Sequence, residues 1–135
     1  MNKETIVIDG ANAILGRLAS FAAKQVLLGR SVVIVNCKDV VVSGNRNTAI
    51  KEYYALRQKG GSALNGPYYP KDPERMVKRT IRGMLSYKSL RGADALKRIM
   101  CYNNVPKEFE ATKKIIAGKE KRTTTTKLSF LGERI

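Results

Sequence analysis

TIVIDGANAILGRLASFAAKQVLLGRSVVIVN, residues Thr5 to Asn36, decides the fold class. Thr5–Gly10 is a β-branched apolar run stopped by Asp9 and Gly10, the pattern of a buried strand. Leu15, Leu18, Ala19, Ala22 and Val26 then recur at helical spacing, and Gly29 is the stop signal. Ser31–Asn36 is a second continuous apolar run. Strand, helix and strand with short connections form a βαβ unit, which implies a parallel sheet with a right-handed crossover.

Working outward, Val40–Gly44 reads as a further strand and "RIMCYN" (Arg98–Asn103) as a fourth. Residues 46–59 have helical spacing through Ile50, Tyr53, Tyr54 and Leu56. Gly60–Pro73, rich in Gly, Pro and Asn, is the main loop. It ends in Asp72 at an N-cap position, Pro73 at the first helical position and Glu74 in the first turn, which starts a helix running to Leu85. On that helix Val77, Ile81, Met84 and Leu85 form an apolar arc, while Arg75, Lys78, Arg79 and Arg82 form another. A short helix is expected over Ala93–Lys97. After Pro106 the chain turns polar and basic. Residues 1–106 therefore read as an α/β core domain and 107–135 as a basic C-terminal extension that orders only on binding.

Charge indicates the partner. Among 135 residues, 26 are Lys or Arg and 11 are Asp or Glu, a net +15. The excess is +3, +8 and +4 over residues 1–50, 51–100 and 101–135, so it concentrates in the centre. From Arg75 to Ala93 there is no carboxylate. A solubilising helix face mixes both signs, whereas like charges three and four apart repel. Such an arrangement calls for a polyanion, and neutralised phosphates would drive binding. The tyrosines offer base stacking; Tyr53 fits a core position equally well, Tyr68 and Tyr69 lie in the loop, and Tyr87, between Arg82 and Lys88, is the preferred candidate.

Catalysis finds little to work with. The chain has no histidine, which removes the commonest general base and metal ligand. Two separate cysteines, Cys37 and Cys101, lack zinc-binding spacing and read as buried reduced thiols. No metal, cofactor or small-molecule substrate is expected. The Gly10–Gly16 turn fails both the P-loop and the G-x-G-x-x-G pattern, so a tight βα turn is favoured over a nucleotide site, with Asp9 as a turn residue. No apolar run reaches membrane-spanning length, and the opening residues lack a signal-peptide pattern; a soluble intracellular protein is expected.

The chain resembles the universal large-subunit ribosomal protein thirteen family in its archaeal form, over about residues 5–106. The likeness rests on "IDG", "LGRLAS", "LLGRSVVIVNCKDVVVSG" and "GPYYPKDPERMVKRTIRGMLSYKSLRGADALKRIMCYNNVP". Ser86 and Asn104 depart from the proline and glycine expected there, without touching a charge. The resemblance implies a three-layer α/β/α fold around a four-stranded, mainly parallel sheet. It implies a place in the cytoplasmic ribosome, with large-subunit ribosomal RNA and neighbouring ribosomal proteins as partners, and an early role in assembly.

The residues expected to meet RNA are Arg17, Arg75, Lys78, Arg79, Arg82 and Tyr87, then Lys88, Arg91, Lys97 and Arg98. Lys119, Lys121 and Arg122 are expected to join them from the extension. Two rival readings remain: a small nucleotide- or RNA-modifying transferase using the Gly10–Gly16 turn, and an accessory protein that regulates translation off the ribosome.

Overall fold

A computed structural model describes residues 5–58, 69–117 and 124–134. The opening unit forms as its pattern dictates. β1 (Thr5–Asp9) and β2 (Ser31–Val35) are parallel, from Thr5 opposite Ser31 to Asp9 opposite Val35. Between them α1 (Leu15–Leu27) buries Leu15, Leu18, Ala19, Ala22, Ala23 and Val26 on one side. Gly29, at φ +97°, ends it in a conformation that L side chains rarely adopt.

Beyond β2 the chain leaves the sheet. Asn36 takes a left-handed conformation (φ 57°) and a 3₁₀ turn over Cys37–Asp39 redirects the backbone. β3 (Val41–Ser43), within the further strand expected over Val40–Gly44, pairs antiparallel with β6 (Thr125–Lys127) in a separate two-stranded ribbon and not with the main sheet. The main sheet has the order β4–β2–β1–β5, with β4 at Ile99–Cys101 and β5 at Lys114–Ile116, and all its pairings are parallel. It thus has the expected four strands, but the fourth comes from the C-terminal segment.

Alternation along the strands separates two layers. Ile8, Val32 and Ile34 face a core that includes Leu18, Val26, Met76, Val77 and Ile81, contributed by α1 and, beyond α2 (Arg46–Gln58), by α3 (Pro73–Met84). Val7, Val33 and Val35 point the other way, under Tyr102, Val105 and Phe109. The second outer layer is this segment with its 3₁₀ turn over Lys107–Phe109. The architecture is of the expected three-layer α/β/α class. No helix among the described residues is long and apolar enough to cross a membrane.

Two expectations about packing need correction. Met84 is 45% exposed, and Met76 is the fully buried methionine of α3. α3 packs not only on α1 but also on α5 (Leu128–Arg134) and the Cys37–Asp39 turn, and this second set of neighbours widens its buried arc. Nor does the core end at residue 106. β5 hydrogen-bonds along β1, and Leu128 and Leu131 of α5 are both fully buried in the cluster that contains Ile8 and Leu18.

α4 runs over Leu90–Lys97, three residues longer at its start than expected. Ser89 caps it, Oγ accepting from the Gly92 amide at 3.3 Å and donating to the Ser86 carbonyl at 2.8 Å. A Cβ on Gly92 would lie 1.9 Å from the Ser86 oxygen. Gly→Ala ordinarily stabilises a helix by up to ~1 kcal/mol. Here Gly92→Ala is expected to lower stability by about 1–3 kcal/mol, because the obstacle is backbone and cannot rotate away. Thermal denaturation checks the sign, and a raised Tm would show that the turn can open.

Candidate nucleic-acid interface

α3 begins as the sequence predicts, with Pro73 in the first turn and the Asp72 carbonyl accepting from the Met76 amide at 2.9 Å. Its cap, however, comes from elsewhere in the chain. The Glu74 amide donates to Asn103 Oδ1 at 3.1 Å, tying the start of α3 to the loop after β4. The start of the helix is thereby held against that loop, and four cations follow along it.

Those cations have different fates. Arg75 is exposed and lies 3.8 Å from Asp72, an exposed pair of little energetic weight. Arg82 is exposed and lies over the Tyr87 ring, 5.1 Å from its centroid. Arg79 is half-buried over Tyr69 at 5.0 Å. Tyr69 in turn meets Tyr53 edge-on, with centroids 5.4 Å apart. Burial raises the pKa of both tyrosines. The two guanidiniums thus sit on aromatic supports that restrict their motion. Tyr87, expected as a base-stacking residue, serves here as the support for Arg82. Lys88, Arg91 and Lys97 are exposed, and Arg17 is exposed on α1, apart from this helix face.

Two predicted RNA contacts are engaged inside the protein. Lys78 Nζ donates to the Ile99 carbonyl at 3.2 Å. Ile99 belongs to β4, an edge strand, and the ammonium covers an acceptor that the sheet leaves open. Arg98 donates from its guanidinium to the Val26 carbonyl at 2.7 Å, at the C-terminal end of α1, where a cation suits the helix dipole. Its Nε is buried without a partner among the described residues. Lys119, Lys121 and Arg122 lie outside the described residues.

Sequence reading missed two features. Between α3 on one side and α4 and β4 on the other lies a groove of about 550 Å³. Arg75, Lys78, Arg79 and Arg82 line it together with the apolar Leu96 and Met100. The second feature is Phe130 of α5, flanked by the guanidiniums of Arg46 and Arg134 at 4.9 and 4.8 Å. Neither was legible, because each joins residues far apart in the chain.

The alternative chemistry finds no support in the geometry. Asp9 Oδ1 accepts from the Ala11 amide at 3.0 Å and from Asn36 Nδ2 at 3.1 Å, as a turn residue does. A Cβ on Gly10 would meet the Val35 oxygen and Val40 Cγ2, both at 2.9 Å, so that glycine permits close packing at the turn. The Cys101 thiol beside Cys37, together with burial, pushes the Cys37 thiol upward and keeps it protonated.

An α/β scaffold that mounts a helix with four cations against a single carboxylate, Glu74, defines a class, the small basic binding protein of a nucleoprotein assembly. Comparison with known proteins narrows it. Residues 3–108 match the family model described as ribosomal protein L13. The chain is 48% identical over 130 residues to the large ribosomal subunit protein uL13 of Methanosarcina barkeri, covering 94% of this chain and 92% of that one. It is 43% identical over 130 residues to the same-named protein of Methanocaldococcus jannaschii, at 94% and 92% coverage. With that of Methanococcoides burtonii it shares 46% over 104 residues, 77% of this chain and 74% of the relative. The chain belongs to the L13 family of ribosomal proteins. At 94% coverage the likeness includes most of the segment beyond residue 108, which agrees with that segment's place in the core.

Proposed function

We propose that the chain is a structural constituent of the large ribosomal subunit that binds large-subunit ribosomal RNA through the outward face of α3 and the turn after it. The observation that carries this reading is the acid-free run from Arg75 to Ala93, which spans most of α3, the turn after it and the start of α4, with Arg79 and Arg82 held against tyrosine rings. Arg forks on a rigid mount suit phosphate oxygens. The major groove of A-form RNA is too narrow for side chains, so backbone and shape recognition dominates. Arg75, Arg79, Arg82, Lys88, Arg91 and Lys97 are the contact residues in this reading, with neighbouring ribosomal proteins beside them in the cytoplasmic particle. Recruitment early in subunit assembly follows if the face binds RNA before those neighbours arrive.

Titrating the protein with a large-subunit RNA fragment at several salt concentrations tests the reading. Six phosphate contacts predict a fall in log K of about 4–5 per decade of salt. A flat response would remove the electrostatic account. Co-sedimentation with large subunits after a high-salt wash separates an integral component from an accessory factor.

A further inference from the structure

We infer that the groove between α3 and β4 takes one unpaired nucleotide of RNA, with the base against Leu96 and Met100 and the phosphates on Arg75, Arg79 and Arg82. This rests on the RNA-binding reading above and adds a place for a base, which phosphate recognition alone does not provide.

Three observations carry it. First, an apolar surface lies directly beside the cations. Met100 is 48% exposed on an edge strand, and Leu96 continues the surface from α4. Phosphates gain nothing from a thioether and an isobutyl group, whereas the flat face of a base does. Second, the groove's size is right: about 550 Å³ lies within the ~300–1,000 Å³ of small-molecule sites and is too small for a duplex. Third, Glu74 lines the same groove and is its one carboxylate among the described residues. In a phosphate-only site it would oppose the ligand. Toward a base it is an acceptor of N–H donors, and guanine presents two adjacent donors on its pairing edge to the two oxygens of a carboxylate. Asn103 fixes the backbone of Glu74 at 3.1 Å, so the acceptor starts from a defined position. With four cations against one carboxylate among the described lining residues, charge complementarity favours a nucleic acid over a protein segment.

The test uses the full-length protein and three fluorescently labelled RNAs at one low salt concentration. They are an oligoadenylate hexamer, the same hexamer with one central guanine, and a short duplex. The guanine hexamer is expected to bind about tenfold more tightly than the all-adenine one, the scale of a bidentate base contact. Two substitutions separate a base site from a phosphate site, because simple electrostatics predicts the opposite result for each. Met100→Lys adds a cation to the groove; it should tighten a phosphate-only site, and is expected instead to weaken guanine-hexamer binding at least fivefold while leaving the duplex unaffected or tighter. Glu74→Gln removes an anion; a phosphate-only site would strengthen for every RNA, whereas the expected result is loss of the guanine preference. Equal affinities for the hexamers, with Met100→Lys tightening them all, would overturn the nucleotide site and leave the phosphate face standing. Displacement of the guanine hexamer by an acidic Leu/Glu peptide, itself weakened by Met100→Lys, would assign the groove to a protein neighbour and likewise overturn it. Binding of none of the RNAs would remove the RNA reading and this inference together.

Discussion

Replacing Arg79 and Arg82 together with Glu is expected to weaken large-subunit RNA binding by about 3–6 kcal/mol while the domain still folds. Each hydrogen bond to a charged group is worth ~1.5–3 kcal/mol, so two lost contacts correspond to a factor of roughly 10²–10⁴ in affinity. Repulsion between the new carboxylates and phosphate adds to this. The cost to the fold is smaller. Two cation–π contacts, with Tyr69 and Tyr87, disappear at about 0.5–1 kcal/mol each. Helix electrostatics offsets part of that. In the native helix Arg75 and Arg79, and Lys78 and Arg82, are like-charged pairs four apart. Reversing positions 79 and 82 turns both into attractive pairs, each worth ~0.3–0.5 kcal/mol. Circular dichroism should therefore show a folded protein with Tm lowered by a few degrees, and incorporation into large subunits should fail. Val77→Asp is the contrasting control: it places an unpaired charge at a fully buried position and should unfold the domain. Normal assembly of the double variant would reduce the cationic face to a solvated surface.

The fold was most legible where burial was two-sided. β1 and β2 are covered on both faces, so they appear in the sequence as continuous apolar runs bounded by Asp, Asn and Gly. The start of α3 was legible because Asp72-Pro73-x-Arg75, with Glu74 at x, is local chemistry. β5 was not: it has three residues, begins with Lys114, and ends with Ile116 at 65% exposure on a sheet edge. α5 has only seven residues and two buried leucines, too few for a periodic signal to rise above its polar surroundings. Missing α5 also left out one of the elements against which α3 packs.

The site divides in the same way. That α3 carries four cations and no opposing charge between Arg75 and Ala93 is a property of the sequence. Which cations remain available is a property of the fold. Lys78 is drawn to a carbonyl 21 residues away and Arg98 to one 72 residues away. Each has a partner within the chain that becomes visible only once the strand and the helix end are in place. The apolar side of the groove was hidden for the same reason, since Leu96 and Met100 come from α4 and β4 while the cations come from α3.

The buried leucines of α5 supply the test of how far the core extends. Leu131→Ala is expected to destabilise the free protein by about 2–5 kcal/mol, the range for emptying a buried leucine site. Against a total of roughly 5–15 kcal/mol for a domain, that is a large fraction of its stability. Little relaxation is available to reduce it. A Cβ on the adjacent Gly132 would lie 2.4 Å from the Lys71 carbonyl oxygen, and the Leu128 amide donates to the Val40 carbonyl at 2.9 Å, so α5 is fixed on both sides. Ile116→Ala, at a 65% exposed position of the same C-terminal segment, should cost under about 0.5 kcal/mol. Thermal or urea unfolding without RNA measures both, and the Leu128 amide should exchange as slowly as those of β1 and β2. An extension that orders only on RNA predicts a different outcome, with Leu131→Ala leaving the Tm of the free protein unchanged and weakening only RNA binding. A large loss of stability for Leu131→Ala beside a small one for Ile116→Ala places the end of the chain in the core rather than on it.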